Sequence, residues 1–213
     1  MGTTRICLVR HGETAWNTEK RLQGHLDVPL NDTGRHQAAA TAAALVGHEF
    51  EAVYSSDLSR ARLTAEVVAR SVDHEAMCDR VWRERHYGVF QGLTYAEAET
   101  RFPHDFRRFV ERDIGFAFAE GGESLYAFHA RIADALSGLV QRHSGHGVLV
   151  VTHGGVLDIV YRMVTGMPLQ TARDFQIPNA ALNWVEFDNG RWRLIAWADR
   201  RHLQRSLDEL PGT

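Results

Sequence analysis

Arg5-Ile6-Cys7-Leu8-Val9 runs directly into Arg10-His11-Gly12-Glu13-Thr14. A short apolar run that stops at polar and glycine residues reads as a buried strand followed by a loop. Two later stretches repeat the pattern. Gly147 to Val151 is as apolar and runs into Thr152-His153-Gly154-Gly155, and Ala52-Val53-Tyr54 runs into Ser55-Ser56-Asp57-Leu58-Ser59-Arg60. Helical periodicity fills the intervals. Ala38, Ala42, Leu45 and Val46 mark a helix from Thr33 to about Val46, and Ala61, Ala65 and Val68 mark another from Leu58 to Arg70. Leu125, Phe128, Ile132, Leu136 and Leu139 give the clearest helix, Glu123 to His143, and Gly154 to Thr165 is helical again.

A short strand is expected within Ala76 to Trp82, and one or two short helices, broken at Pro103, between Tyr95 and Ile114. Ala181 to Phe187 and Trp192 to Trp197 flank Asp188-Asn189-Gly190, a hairpin signal. Strands alternating with helices imply an α/β, three-layer α/β/α sandwich. Its sheet should be mainly parallel, with helices on both faces and a C-terminal antiparallel hairpin at one edge. The expected organisation is one domain over residues 1–213, with residues 95–120 as a helical insert that reads either as a lid or as core.

Composition narrows the function classes. The 213 residues are 44% hydrophobic and 24% charged, ordinary for a globular domain. A formal net charge of -3 offers no basic excess for nucleic acid. No apolar run is long enough to span a membrane, and the N-terminal residues do not form a signal peptide. The two cysteines, Cys7 and Cys78, have no partner at metal-ligand spacing. Cys7 reads as a small core residue suited to a reducing compartment, so a cytoplasmic protein is expected. Twelve histidines raise the question of a metal. His25, His36, His48, His74, His104, His143 and His146 lack coherent ligand spacing and read as surface or loop residues, so no metal site is assigned.

In parallel sheets, ligands bind beyond the C-terminal ends of the strands. Three strand ends here deliver Arg10, His11, Arg60 and His153 to one edge. Guanidinium forks match phosphate oxygens, and glycines beside both histidines admit a ligand close to the backbone. Gly154 also opens a helix, whose N-terminal amides favour an anion. The combination describes a pocket for a phosphoryl group.

Leu8-Val9-Arg10-His11-Gly12-Glu13-Thr14, followed by Asn17, resembles the signature of the histidine phosphatase superfamily, which includes cofactor-dependent phosphoglycerate mutases and small phosphomonoesterases. Four further blocks in order strengthen the resemblance: Gln23-Gly24 with Asp27-Val28-Pro29-Leu30, then Ser55, Asp57, Arg60 and Ala61, then Arg83-Glu84 with Gly88 and Gly92, then Thr152-His153-Gly154-Gly155. The resemblance implies that His11 attacks phosphorus and becomes a phosphohistidine. It implies that Arg10, Arg60 and His153 surround the phosphoryl oxygens, and that Glu84 is the general acid and base. Asn17, Gln23, Gly24, Tyr87 and the Gly154 amide are the implied substrate contacts. No metal is required, because arginine and imidazole supply the positive charge.

Two activities share this chemistry. Glu84-Arg85-His86-Tyr87-Gly88 with Gln91-Gly92-Leu93 looks like the mutase pattern. Thr94-Tyr95 in place of Asn-Lys, Gly155 in place of Asn, and a single lysine, Lys20, point the other way, as do Arg21 to Gly24 and Asp27 to Leu30. The balance favours a metal-independent phosphomonoester hydrolase acting on a small phosphorylated substrate. The alternative is a mutase, which would need 2,3-bisphosphoglycerate. A non-catalytic module that binds phosphorylated ligands is disfavoured, because His11, Arg60, Glu84 and His153 are all present. A homodimer is compatible with the family resemblance.

Some residues keep two readings. Gly121-Gly122-Glu123-Ser124 is either a helix start or part of the site rim. Phe102, Phe106, Phe109, Val110 and Ile114 form either a core-facing stripe or a cover over the site. Arg107 and Arg108 either meet an acidic substrate or lie in solvent.

Overall fold

The apolar run that begins the chain is buried because it lies in the middle of a sheet. In the computed structural model, which describes residues 2–204, it forms β1 (Thr4–Arg10). Met1 and residues 205–213 of the expected domain lie outside the described residues. β1 has as parallel neighbour β4 (Gly147–Thr152) and as antiparallel neighbour β5 (Leu182–Asp188). β2 (Ala52–Ser55) and β3 (Ala76–Cys78) extend the parallel side, and β6 (Arg191–Asp199) closes the other edge. The order is β3-β2-β4-β1-β5-β6.

The period of two along β1 divides the core. Ile6 and Leu8 point to one face, where they join Val148, Val150 and Val185. α6 (Leu125–Arg142) and α7 (Gly154–Thr165) cover that face with Phe128, Ile132, Leu136 and Leu139 among their buried residues. Cys7 and Val9 point to the other face. α2 (Asp32–Leu45) and α3 (Ser59–Ser71) cover it, with Ala42, Leu45, Ala61, Ala65 and Val68 buried. Both faces are covered, so Ile6 to Val9 are apolar at every position and show no alternation.

Local chemistry sets the boundaries. Asn31 caps α2 by accepting the Gly34 amide, and Ser124 caps α6 by accepting the Ala127 amide. α7 stops at Gly166, whose φ of 73° is the left-handed conformation of a helix end. Asn189 and Gly190 both have positive φ (48° and 79°), as a two-residue turn between β5 and β6 demands. Among the α-helices, one is new relative to the sequence reading. α1 (Ala15–Thr18) is a single turn after the His11 loop, held by a capping box between Thr14 and Asn17.

The aromatic stripe packs into a cluster of its own. α4 (Tyr95–Arg101) and α5 (Pro103–Val110) form a satellite cluster in which Phe90, Phe116 and Phe118 are buried and Phe102, Phe106 and Phe109 pack against them. The cluster borders the strand ends. Tyr95 stacks on Phe109 with ring centroids 6.1 Å apart, and both rings line a cavity beside the site.

Candidate active site

Register brings the two histidines together. Arg10 pairs with Thr152 across β1 and β4, so His11 and His153 are the next residue on adjacent strands. The His11 amide donates to the Thr152 carbonyl at 2.9 Å, and the imidazoles meet edge to face with centroids 5.2 Å apart. Gly12 and Gly34 allow the His11 loop to rest on the start of α2. A Cβ on Gly12 would lie 2.4 Å from the Gly34 carbonyl oxygen, and one on Gly34 would lie 2.1 Å from that of Glu13.

His11 is 3% exposed. Its Nδ1 lies 2.7 Å from the carbonyl oxygen of Gly12, which can only accept. Nδ1 therefore carries the hydrogen, and Nε2 presents a lone pair. Burial, with the Arg60 and Arg10 charges added, holds the His11 pKa well below the ordinary imidazole value. The ring is therefore neutral near pH 7, with the Nε2 lone pair available.

Backbone carbonyls brace both buried arginines. Arg60, fully buried on α3, donates to Leu26 O at 2.9 Å and Gly24 O at 2.8 Å. Burial lowers its pKa to about 10, so it stays charged at neutral pH. Arg10 donates to Ile177 O at 2.7 Å. His153 is fully buried, with Nε2 at 2.8 Å from Ser56 Oγ.

Glu84 is 7% exposed and lies just beyond a 3-10 turn, Arg80–Trp82. Its Oε1 accepts the Arg85 amide at 2.8 Å, and its Oε2 accepts the Gly155 amide at 2.9 Å. Burial raises its pKa from the ordinary carboxylate value, although both amides pull it back. The loop that carries it is braced on two sides. Arg83 grips Asp57 with two 2.6 Å bonds. Arg131 donates to the carbonyls of Val81, Arg83 and Glu84 and to both oxygens of Glu123. Glu123 in turn accepts the His86 amide at 2.9 Å. The Gly121 to Ser124 stretch is thus both a helix start, through Ser124, and a brace for the site, through Glu123.

A small cavity is lined by Arg10, His11, Asn17, Gln23, Arg60 and Glu84, with Tyr87 and Tyr95 at its rim. Of the residues expected to contact substrate, Asn17, Gln23 and Tyr87 thus face it. Gly24 instead supports Arg60 through its carbonyl, and Gly154 is buried at the start of α7. An adjoining cavity shares Tyr87 and Tyr95 and brings in Arg85, Arg112, Arg173 and Asp158. Arg108 pairs with Asp113 at 2.8 Å and Arg107 is exposed, so neither lines this cavity. Arg112 reaches it instead, bonded to Asp158 at 2.6 Å.

Several contributors escape sequence reasoning. Asn179 donates to the His11 carbonyl at 3.0 Å from 168 positions away. Ser56 lies inside a recognised block but shows no role until His153 is seen beside it. His25, read as a surface residue, is half-buried. It donates through Nε2 to Glu84 O at 2.9 Å and stands 4.7 Å from the His86 ring. His143 is likewise engaged, with Tyr54 and Glu51. Among the described residues no group of three His, Cys, Asp or Glu side chains is gathered to hold a metal, and no helix is long and apolar enough to cross a membrane.

A neutral imidazole with a bare Nε2, ringed by buried guanidiniums and a buried carboxyl, is the equipment of an enzyme that moves phosphoryl groups. The chain belongs to the histidine phosphatase superfamily, branch 1, whose family model matches residues 6–200, and it is a phosphatase of that superfamily. It is 38% identical over 206 residues to a metal-independent phosphoserine phosphatase of Arabidopsis thaliana, covering 94% of this chain and 83% of the relative. It is 39% identical over 204 residues to phosphoglycerate mutase-like protein 4 of the same plant, covering 94% and 87%. Among solved structures, a mycobacterial glucosyl-3-phosphoglycerate phosphatase in complex with VO3 superposes with a TM-score of 0.81 at 31% identity, over 92% of this chain and 99% of that one.

Proposed function

We propose that the chain hydrolyses small phosphomonoesters in two displacements at phosphorus, through a phosphohistidine on His11 Nε2. The observation that carries this reading is the 2.7 Å contact from His11 Nδ1 to Gly12 O, which leaves Nε2 as the free nucleophile. In the first step the Nε2 lone pair forms the N–P bond. The bond from phosphorus to the leaving oxygen breaks, and that oxygen takes the proton of Glu84. In the second step the Glu84 carboxylate takes a proton from water. The water oxygen bonds to phosphorus, the N–P bond breaks, and inorganic phosphate leaves with Glu84 protonated again. Arg10, Arg60, His153 and Asn17 stabilise charge on the non-bridging oxygens. The arginines supply the positive charge that a metal supplies elsewhere, so the reaction is read as metal-independent.

The substrate class is read from the adjoining cavity. Among the described residues three guanidiniums and one carboxylate line it, a setting suited to a leaving group with its own negative charge, such as a carboxylate. Names of relatives that act on phosphoserine and on glucosyl-3-phosphoglycerate agree with that class. Cys7 and Cys78, both free thiols, suit action in the cytoplasm.

The mutase reading has support in the relative named phosphoglycerate mutase-like and in the Glu84 to Leu93 stretch. It would require 2,3-bisphosphoglycerate and exclusion of water. Gly155 favours hydrolysis in our reading. Where mutases place Asn, a Cβ here would lie 2.1 Å from Glu84 Oε1, so this chain positions its acid in a way that side chain would prevent. The deciding experiment supplies EDTA-treated protein with p-nitrophenyl phosphate, phosphoserine, and 3-phosphoglycerate plus catalytic 2,3-bisphosphoglycerate. Free phosphate, greatest from the carboxylated esters, supports the proposal. Fast isomerisation with little phosphate release refutes it.

A further inference from the structure

We propose that Ser56 is a positioning residue that holds His153 as its Nδ1–H tautomer, so that a neutral imidazole donates a hydrogen bond to the transferring phosphoryl group. The inference concerns the hydroxyl's inventory of partners. Ser56 is fully buried, and among the described residues its Oγ has two: the Leu58 amide at 3.3 Å and His153 Nε2 at 2.8 Å. The Leu58 amide can only donate, so it occupies a lone pair of Oγ. The hydroxyl hydrogen then has one acceptor within reach, a bare Nε2.

The opposite arrangement fails twice. If Nε2 carried the hydrogen, Ser56 Oγ would receive two N–H groups while its own O–H stayed buried without an acceptor. His153 Nδ1 would then turn a lone pair toward the site, where it would repel phosphoryl oxygens. Nδ1 is itself fully buried with no partner among the described residues, and it does not cap α7 although His153 stands at that helix's N-cap. A buried nitrogen left unpaired beside a pocket that holds His11, Arg10 and Arg60 is a donor kept for a ligand.

Burial and the same neighbours also keep this ring uncharged, since the His153 pKa lies well below the ordinary value, with burial the largest cause, then Arg60, His11 and Arg10. A neutral ring has one hydrogen to place, so its tautomer decides whether it helps or hinders. His11 and His153 thereby share one tautomer and use it oppositely. His11 ties Nδ1–H to Gly12 O and offers Nε2 to phosphorus. His153 ties Nε2 to Ser56 and offers Nδ1–H to oxygen.

The catalytic consequence rests on the phosphohistidine reading, whereas the tautomer itself does not, so the two can fail separately. The test is a long-range 1H–15N correlation spectrum of protein labelled with 15N-histidine, with the His153 signals assigned by their loss in His153→Asn. The wild-type spectrum should show a protonated Nδ1 and a bare Nε2, and added inorganic phosphate should move the Nδ1 signal. In Ser56→Ala the signals should shift toward the Nε2–H form, and turnover of p-nitrophenyl phosphate should fall by about tenfold to a hundredfold, less than the loss of a whole oxyanion donor. A wild-type His153 protonated on Nε2 would overturn the proposal without recourse to any variant. So would a Ser56→Ala protein that keeps the Nδ1–H signature and full turnover.

Discussion

Gly155 gives its backbone N–H to Glu84 Oε2 at 2.9 Å, and a side chain at this position would collide with the other oxygen of the same carboxylate. The helix start that follows His153 therefore also positions the acid. Gly155→Ala should displace Glu84 and lower kcat by at least about tenfold, a modest share of what general acid–base catalysis contributes. Alanine is a better helix former than glycine, so loss of α7 is not the expected cause. Unchanged far-ultraviolet circular dichroism with reduced kcat is the expected pair of results, and undiminished kcat would mean that this contact does not set the position of the acid.

Glu84→Gln should separate chemistry from binding. The amide nearly preserves shape and keeps one oxygen to accept from the Arg85 or the Gly155 N–H, but it has no acid proton to deliver. Single-turnover rates should fall by about a hundredfold to ten-thousandfold. Inhibition by inorganic phosphate should be almost unaffected. Parallel losses in both would make Glu84 a structural residue.

The pH profile follows from two opposite shifts. The His11 pKa lies well below the ordinary imidazole value, so the nucleophile remains unprotonated well into the acid range. The Glu84 pKa is raised from the ordinary carboxylate value, so its acid form persists to higher pH than in an exposed glutamic acid. With a leaving group that needs protonation, kcat/KM should be highest on the acid side of neutrality and decline as pH rises through the Glu84 pKa. Glu84→Gln should flatten that decline. A basic limb that survives in the variant would have to come from another group.

Arg83 and Asp57 tie the acid's loop to the start of α3, and the Asp57 pKa is lowered chiefly by its hydrogen bonds from Arg83. A depressed carboxylate pKa stabilises the fold above the unfolded value, and this stability disappears as pH falls through the folded value. Both side chains are about a quarter exposed, so screening discounts the pair. Asp57→Asn should cost about 1 kcal/mol near pH 7, the upper end for a screened pair. The gap in Tm between variant and wild type should close as the solution is acidified below the Asp57 pKa. A gap independent of pH would place the loss in packing rather than charge.

The fold was legible where periodicity had a single cause. The middles of β1 and β4 are apolar on both faces because helices cover both, and α6 shows its stripe because one face alone is buried. The residues around the phosphate pocket were legible because they follow strands in recognisable blocks. What stayed hidden depends on distances across the fold. Ser56 meets His153, 97 positions away, and nothing in either neighbourhood marks the pair. Asn179 supports His11 from a loop without periodicity. Arg112, rather than Arg107 or Arg108, faces the second cavity, because the chain turns after α5 through a left-handed residue at Arg112 itself, with φ of 55°. A helical pattern cannot show where the residue just beyond its end will point.

The central claim is that His11 carries the phosphoryl group. Protein mixed with excess p-nitrophenyl phosphate, quenched in alkali within milliseconds and digested, should yield a His11 peptide heavier by one phosphoryl group. The modification should be stable in alkali and labile in acid, and it should be absent from His11→Ala together with turnover. A phosphoryl group on another residue, or full turnover by His11→Ala, would contradict the account.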